Sequence, residues 1–444
     1  MNSKTFAFTV TAILSASALF AEPRVDQSAV TLAQDSQSRL VTVGYELTGE
    51  PAVITVDFQT NTLANAAGDW VSIGDVNFTN VVGDVNQVVQ TGSRTITWQP
   101  DKSWPDQRIN DGRVRAVVKA WATNAPPDYC VVCLLSDADI QTRQETDVTF
   151  NPIRRRYFVS SNAVPGGVQN RMYKTEYLLL RKCPAAGVVW RMGSPESEYD
   201  RNAARELPHK VSLTRDYYIG VYEITQSQFS RLYGINPSLH QGDEYPDSDV
   251  YPVGNIGWGH MRGSVDTYTW PGNGHSVDDA KYIGLLRGRS GIESFDIPTE
   301  AQWEYACRAG TGTAYGNGGL NDKDALWGAT PCKAMAWYKD NCETNGVKRV
   351  HPVGEKEPNA WNLYDMHGNA SEWCLDWFAD VNEAVTNAVS YNPGGPETGS
   401  QKVLRGGGYS STRIVCRSAY RSSIGVWGSD SPTGFRVVCD GVAK

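Results

Sequence analysis

Nowhere does the chain hold an apolar run near the roughly 18 residues that a membrane-crossing helix needs, so no span is expected. Blocks of positive charge are missing as well. With 41 Lys and Arg against 49 Asp and Glu, the net charge is −8, and a nucleic-acid backbone is held only by a clustered basic field. The one triplet, Arg154-Arg155-Arg156, reads as a solvated face, so nucleic acid is not expected as a partner. Histidine is scarce: His209, His240, His260, His275, His351 and His367 form no H-x-x-x-H array. No second C-x-x-C matches the pair Cys130 and Cys133, which removes a four-thiolate zinc site and leaves a local bridge or free thiols. Long periodic helices are scarce too.

What is present fills two domains. At 444 residues, 40% apolar and 20% charged, the chain exceeds one ordinary core and has a folded composition. Residues 1–21 carry Lys4, a short apolar stretch from Phe6 to Leu14 and then small residues. This is the pattern of a signal peptide, cut after Ala18 or after Ala21. The expected location is therefore secreted or periplasmic. In an oxidising compartment cysteines pair as structural bridges. There are nine of them, and the odd count leaves at least one without an internal partner.

From 24 to 134 the apolar residues alternate, as in Val41, Val43, Tyr45, Leu47 and again in Ile54, Val56, Phe58. Short alternating strands separated by Gly, Asn, Asp and Pro predict an immunoglobulin-like β-sandwich. Residues 135–170 are polar, with a Pro-Gly-Gly, and read as a linker with one strand at most. From 171 to 441 Trp, Gly and Asn become frequent. Two helices are predicted there, each with a threonine cap and a glutamine three residues on. One starts at Thr225 and stops at Gly234; the other starts at Thr299 and ends at Gly310, with Trp303, Ala306 and Cys307 on one face.

Seven stretches then occur in a telling order: LLLRKCPAAGVVWRMGS, DYYIGVYEITQSQF, DIPTEAQWEYACRAG, NLYDMHGNASEWCLDW, VLRGGGYSS, RSAYRS and GFRVVCD. Together they resemble the formylglycine-generating enzyme (sulfatase-modifying factor) family. The resemblance implies a compact, loop-rich α+β fold akin to C-type lectins, behind the all-β sandwich. In the family's enzymes, two cysteines on the loop after the glycine-rich strand hold copper and oxidise a substrate cysteine with oxygen. Here residues 409–415 contain none, Gly408 replaces the family serine, and Cys416 lies past the loop. One sulfur does not hold Cu(I), so copper is not expected. Iron-dependent relatives take histidines from a separate helical domain, which this chain lacks, so iron is not expected either.

The resemblance carries over a calcium site onto Asp365, the carbonyls of Gly368 and Ala370, and Glu372. These are the hard oxygen donors that Ca²⁺ takes. A second family site maps partly onto Asn345 and the Val347 carbonyl. The resemblance implies that Cys307 pairs with Cys439, which lies two residues past the family's partner position, on the same strand face as it, and that Cys416, two residues before another family disulfide cysteine, pairs with Cys332 or Cys342. Arg405, Arg421 and Arg436 read as buried network residues. Trp337, Tyr409, Arg413 and Trp427 fall in loops at the former catalytic edge and are binding-cleft candidates. The reading is an exported, calcium-braced binding or structural module with no catalytic residues, whose ligand is a glycan, peptide or protein. The alternatives are an exported metal-dependent oxidoreductase of the same superfamily, and a partner subunit that helps another enzyme mature.

Overall fold

The computed structural model describes residues 22–61, 69–73, 81–103, 109, 112–146, 154–263, 276–319, 331–381, 388–430 and 432–440. The signal-peptide reading and His275 lie outside them.

Alternation in the first hundred residues builds two antiparallel sheets facing each other. One holds the strands Arg24–Val25, Thr31–Gln34, Val41–Thr48, Gly92–Trp98 and Val81–Gly83. The other holds Ala52–Asn61, paired with Trp70–Ser72, Val88–Val89 and Val114–Ala122. Val41, Val43, Tyr45 and Leu47 point inward as their period-two spacing dictates, onto Ile54, Phe58 and Trp98. Val53 breaks the pattern, being buried on the opposite face, where it joins a core of the second domain. The sandwich is thus docked on its neighbour, and the Tyr157 N–H donates to the Asn86 carbonyl across the joint at 2.9 Å.

The boundary between the domains differs from the sequence reading. Strand Tyr129–Cys133, assigned to the sandwich, and Arg155–Phe158, assigned to the linker, both belong to the central sheet of the second domain. That sheet continues through Tyr177–Cys183 and Tyr217–Gly220 to Val438–Cys439, all neighbours antiparallel. A strand covered on both faces reads as a continuous apolar run, so YCVVC carried no alternation by which to place it. The same alternation sends Cys130 to one face and Val131 to the other, so Cys130 and Cys133 sit on opposite sides of their strand.

Two apolar cores flank this sheet. Val131, Leu179, Ile219 and Val438 face one, closed by the helix Glu300–Arg308. Val132, Leu180, Tyr218 and Cys439 face the other, closed by the helices Gln226–Tyr233 and Tyr282–Ser290. The first and second of these helices have the expected capping boxes, Thr299 with Gln302 and Thr225 with Gln228. Ala309, at φ +45°, takes the left-handed cap expected of Gly310. The helix Tyr282–Ser290, which begins without a side-chain cap, was not expected.

Candidate functional site

The strand Ser371–Trp377 pairs with Gln401–Arg405, setting Glu372 opposite Arg405. Just before it the backbone turns through Asp365, Gly368 and Asn369, all at positive φ. At Gly368 a Cβ would lie 2.2 Å from the Trp337 carbonyl oxygen, so only glycine fits. Asn369 ties the turn to three other segments. Its N–H donates to the Trp337 carbonyl, and its own carbonyl accepts from the Tyr409 N–H, both at 2.8 Å. Its side-chain Oδ1 accepts from the His351 N–H at 3.0 Å, and Nδ2 donates to Glu223 at 2.9 Å.

Charge is unevenly matched beneath this turn. Glu372 receives Arg436 through two bonds of 2.6 Å and the Trp303 indole N–H at 2.7 Å. Among the described residues Glu223 accepts only neutral amides, from Asn369 and Ala370. Burial, reinforced by the charges of Asp365 and Glu372, pushes its carboxyl well above the usual range. Asp365 accepts the Gly354 N–H at 2.6 Å through Oδ2, while its Oδ1 is buried with no partner. Burial pushes Asp365 up to about 6. Arg436 lies among the three carboxylates and Lys174 also acts on Asp365, yet one buried Asp365 oxygen stays unsatisfied among the described residues, a place for a hard cation. Asp365 offers one hard oxygen to such an ion with Glu223 nearby, while among the described residues no three His, Cys, Asp or Glu gather into a metal-binding group. Glu372 is committed to Arg436.

Glu223 was missed in the sequence because YEIT offers one acid in an apolar strand end. Only its approach to Asp365, 142 positions later in the chain, gives it meaning.

The second cation mapping falls on a tight hairpin. Asn345 and Gly346 are the two central residues of a hairpin joining Glu343–Thr344 to Val347–Lys348, at φ +52° and +78°. Asn-Gly is the preferred pair for such a turn, which accounts for Asn345, and Val347 stands 46% exposed.

The Cys307–Cys439 pairing is corrected too. Cys307 Sγ lies 3.6 Å from both His367 Nε2 and Ser418 Oγ, within the core that Val438 faces. Cys439 alternates to the opposite face, across the strand from Tyr218. The two-residue offset that preserved facing thus placed Cys439 on the wrong side. For Cys416 the structure favours Cys332 over Cys342, both thiols lying in one small buried cluster with Tyr315 and Met335.

The cleft candidates separate into two groups. Trp337 and Tyr409 meet through Asn369. The Trp337 ring stacks on His351 with centroids 3.7 Å apart, and Lys356 Nζ lies 3.7 Å from its centroid. The Tyr409 ring meets His240 edge-on, and His240 in turn meets Tyr245, over which Arg349 sits. Burial lowers both histidines, with the nearby charge of Arg349 acting the same way on each. Arg413 lies farther along the 409–415 loop, where its carbonyl takes the Tyr315 hydroxyl at 3.0 Å. Trp427 stands 77% exposed on the turn after Ser422–Gly425.

Arginines fix the corner beneath the loop. Arg405 donates to the carbonyls of Ser418, Ala419 and Tyr420 and pairs with Glu304. Arg417 binds Glu206 and Glu198, and Arg421 grips Glu300 through two bonds. At Gly408 a Cβ would lie 2.5 Å from that of Pro432, so the position has no room for a side chain.

Comparison with known proteins agrees with this architecture. The family model described as the sulfatase-modifying factor enzyme 1-like domain matches residues 182–441. A formylglycine-generating enzyme of Bos taurus is 27% identical over 64% of this chain and 80% of its own length. One of Streptomyces coelicolor is 36% identical over 53% and 82%. A protein of Paenibacillus barcinonensis named as chaperone protein LppX is 28% identical over 50% and 80%. Among solved structures, Treponema denticola variable protein 1 aligns at 25% identity and a TM-score of 0.46, over 60% of this chain and 95% of that one.

Proposed function

Because the chain belongs to the family of sulfatase-modifying factor enzyme 1-like domains, we propose that it is an exported binding module on that scaffold, without formylglycine-generating activity. The observation that carries the reading is the loop 409–415. It holds no cysteine, and the next one, Cys416, is wholly buried. Catalytic thiols work as exposed thiolates, whereas the Cys416 thiol is held well above its usual range by Cys332 and by burial.

Calcium bound at the Asp365 turn would supply hard positive charge to a buried, unsatisfied oxygen. Asp365 would hold it, with the Gly368 and Ala370 carbonyls. Asn369 then transmits the order of that turn to Trp337 and Tyr409, whose backbones it bonds. Those rings, with His240, Tyr245 and Arg349, form an aromatic and cationic rim. It suits a glycan or peptide that stacks on rings and offers acceptors or negative charge.

A redox reading has one point in its favour, the second thiol at Cys332, since a pair of soft sulfurs is what Cu(I) takes. Both sulfurs belong to fully buried residues, and a substrate cysteine has no access to them. The partner-subunit reading draws on the chaperone name of one relative, and it uses the same rim with a protein ligand.

The test is twofold. Purified mature protein is given a sulfatase-type cysteine peptide with copper and oxygen, and no aldehyde above a Cys416→Ser control is expected. Arrays of glycans and peptides are then probed with wild type and with Trp337→Ala, which should lose the binding seen. Aldehyde formed by wild type alone would refute the assignment.

A further inference from the structure

We propose that Cys332 and Cys416 form a disulfide that clamps the two walls of the Trp337–Tyr409 rim. Both residues are 0% exposed, and they share one cluster with Ala314, Tyr315, Met335, Ala336 and Tyr338. The segments that carry them approach from different parts of the chain and meet at several points. Cys332 begins the short helix Pro331–Met335, which runs directly into Ala336–Trp337, paired in turn with His367–Gly368. Cys416 ends the loop that starts at Tyr409, and its carbonyl accepts from His367 Nδ1 at 2.7 Å. Between them, the Lys339 N–H donates to the Ser411 carbonyl at 2.9 Å. A bond between the two sulfurs would therefore fix Trp337 on one side and Tyr409 on the other against the same turn.

The chemistry of the pair is suited to oxidation. The Cys332 thiol is lowered by its contact with Cys416, and His367 and Arg413 pull in the same direction, whereas Cys416 is raised. One sulfur is thus the better thiolate and the other its neighbouring partner. During folding, before the cluster closes over the pair, the Cys332 thiolate attacks one sulfur of an external disulfide and forms a mixed disulfide. Cys416, once deprotonated, displaces the second half. Two S–H bonds are lost and one S–S bond is made. The two electrons reduce the reagent to two thiols, which also take up the two protons. The gain in stability follows from constraining the unfolded chain between residues 332 and 416, a long closed loop.

Formation in the organism rests on export. The chemistry does not, so the experiment is done in vitro. The full chain lacking residues 1–21 is refolded from the reduced, unfolded state in a mixture of oxidised and reduced glutathione. It is then quenched with a thiol-blocking reagent and digested. A linked peptide pair containing Cys332 and Cys416 is expected, and it should vanish on treatment with dithiothreitol. Amide exchange in 333–341 and 406–415 should quicken on reduction of the wild-type protein, a readout that needs no variant to fold. Blocked Cys332 and Cys416 in the fully oxidised mixture would overturn the proposal. So would a metal bound one-to-one that protects both thiols from the reagent. Export is tested separately by the N-terminal sequence of secreted protein, and its failure would leave the in vitro linkage intact.

Discussion

The Asn369 amide lies 2.9 Å from Glu223, and the other oxygen of Glu223 takes the Ala370 N–H at 2.8 Å. A buried acid from the segment between the strand Tyr217–Gly220 and the helix Gln226–Tyr233 thus holds both residues of the turn below the rim.

Asn369→Ala should therefore cost more than a loop substitution. It strands the His351 N–H and one Glu223 oxygen, each buried, at about 1–3 kcal/mol per unsatisfied group. Urea unfolding should show the midpoint falling with an unchanged slope. A loss within about 0.5 kcal/mol, typical of open surface, would mean that the turn stands without Asn369.

Calcium removal gives a second check. If the ion braces the Asp365 turn, a chelator should lower the melting temperature of wild type, and added Ca²⁺ should restore it. At a free concentration about a hundredfold above Kd the stabilisation is about 2.7 kcal/mol. Asp365→Ala should be insensitive to both treatments. An identical response in the two proteins would place the ion elsewhere.

Arg436 is the only cation bonded to Glu372 among the described residues, and it also donates to the carbonyls of Gly220 and Tyr364. Arg436→Met leaves that carboxylate buried and without its charge partner. Breaking a buried pair from one side costs about 3–5 kcal/mol. Thermal unfolding followed by near-ultraviolet dichroism should show a large drop, whereas Arg413→Met, on the loop, should show little.

Lys402 provides a pH test. Its amine is buried between the rings of Trp258 and Trp377 and donates to the Leu375 carbonyl at 2.6 Å. Burial lowers it from 10.5 to about 7. Between those values the unfolded chain binds the proton and the folded chain does not, so the residue's contribution to stability rises with pH across that window. Melting temperatures of wild type relative to Lys402→Met should accordingly shift in favour of wild type from about pH 7 to pH 10. A flat difference would show that the amine stays charged in the fold.

Much of this fold is legible along the chain because local rules write it there. Thr225 with Gln228 and Thr299 with Gln302 mark helix starts through hydrogen bonds made within four residues. Alternation from Val41 to Leu47 declares one wet face and one dry face. Tyr129–Cys133 has two dry faces and no such mark, so the sequence placed it in the sandwich and not in the central sheet it joins. The seven ordered stretches name the second domain, yet they do not disclose what pairs across it. Cys439 was placed on the wrong face because a two-residue offset preserves facing only if the reference position faces the partner at all. Asn345 with Gly346 also specifies a hairpin, by a rule local to the pair. Glu223, and the choice of Cys332 over Cys342, became visible only when distant segments met, and no spacing rule spans such distances.

Pro432 leaves a different kind of trace. Its ring fills the volume that a side chain at 408 would need, so substituting serine there and inserting two cysteines into the loop would not recreate an oxidase. The strand corner would first have to be remade around another residue at 432. A side chain at 408 and a proline at 432 exclude one another, so the two positions can change only together.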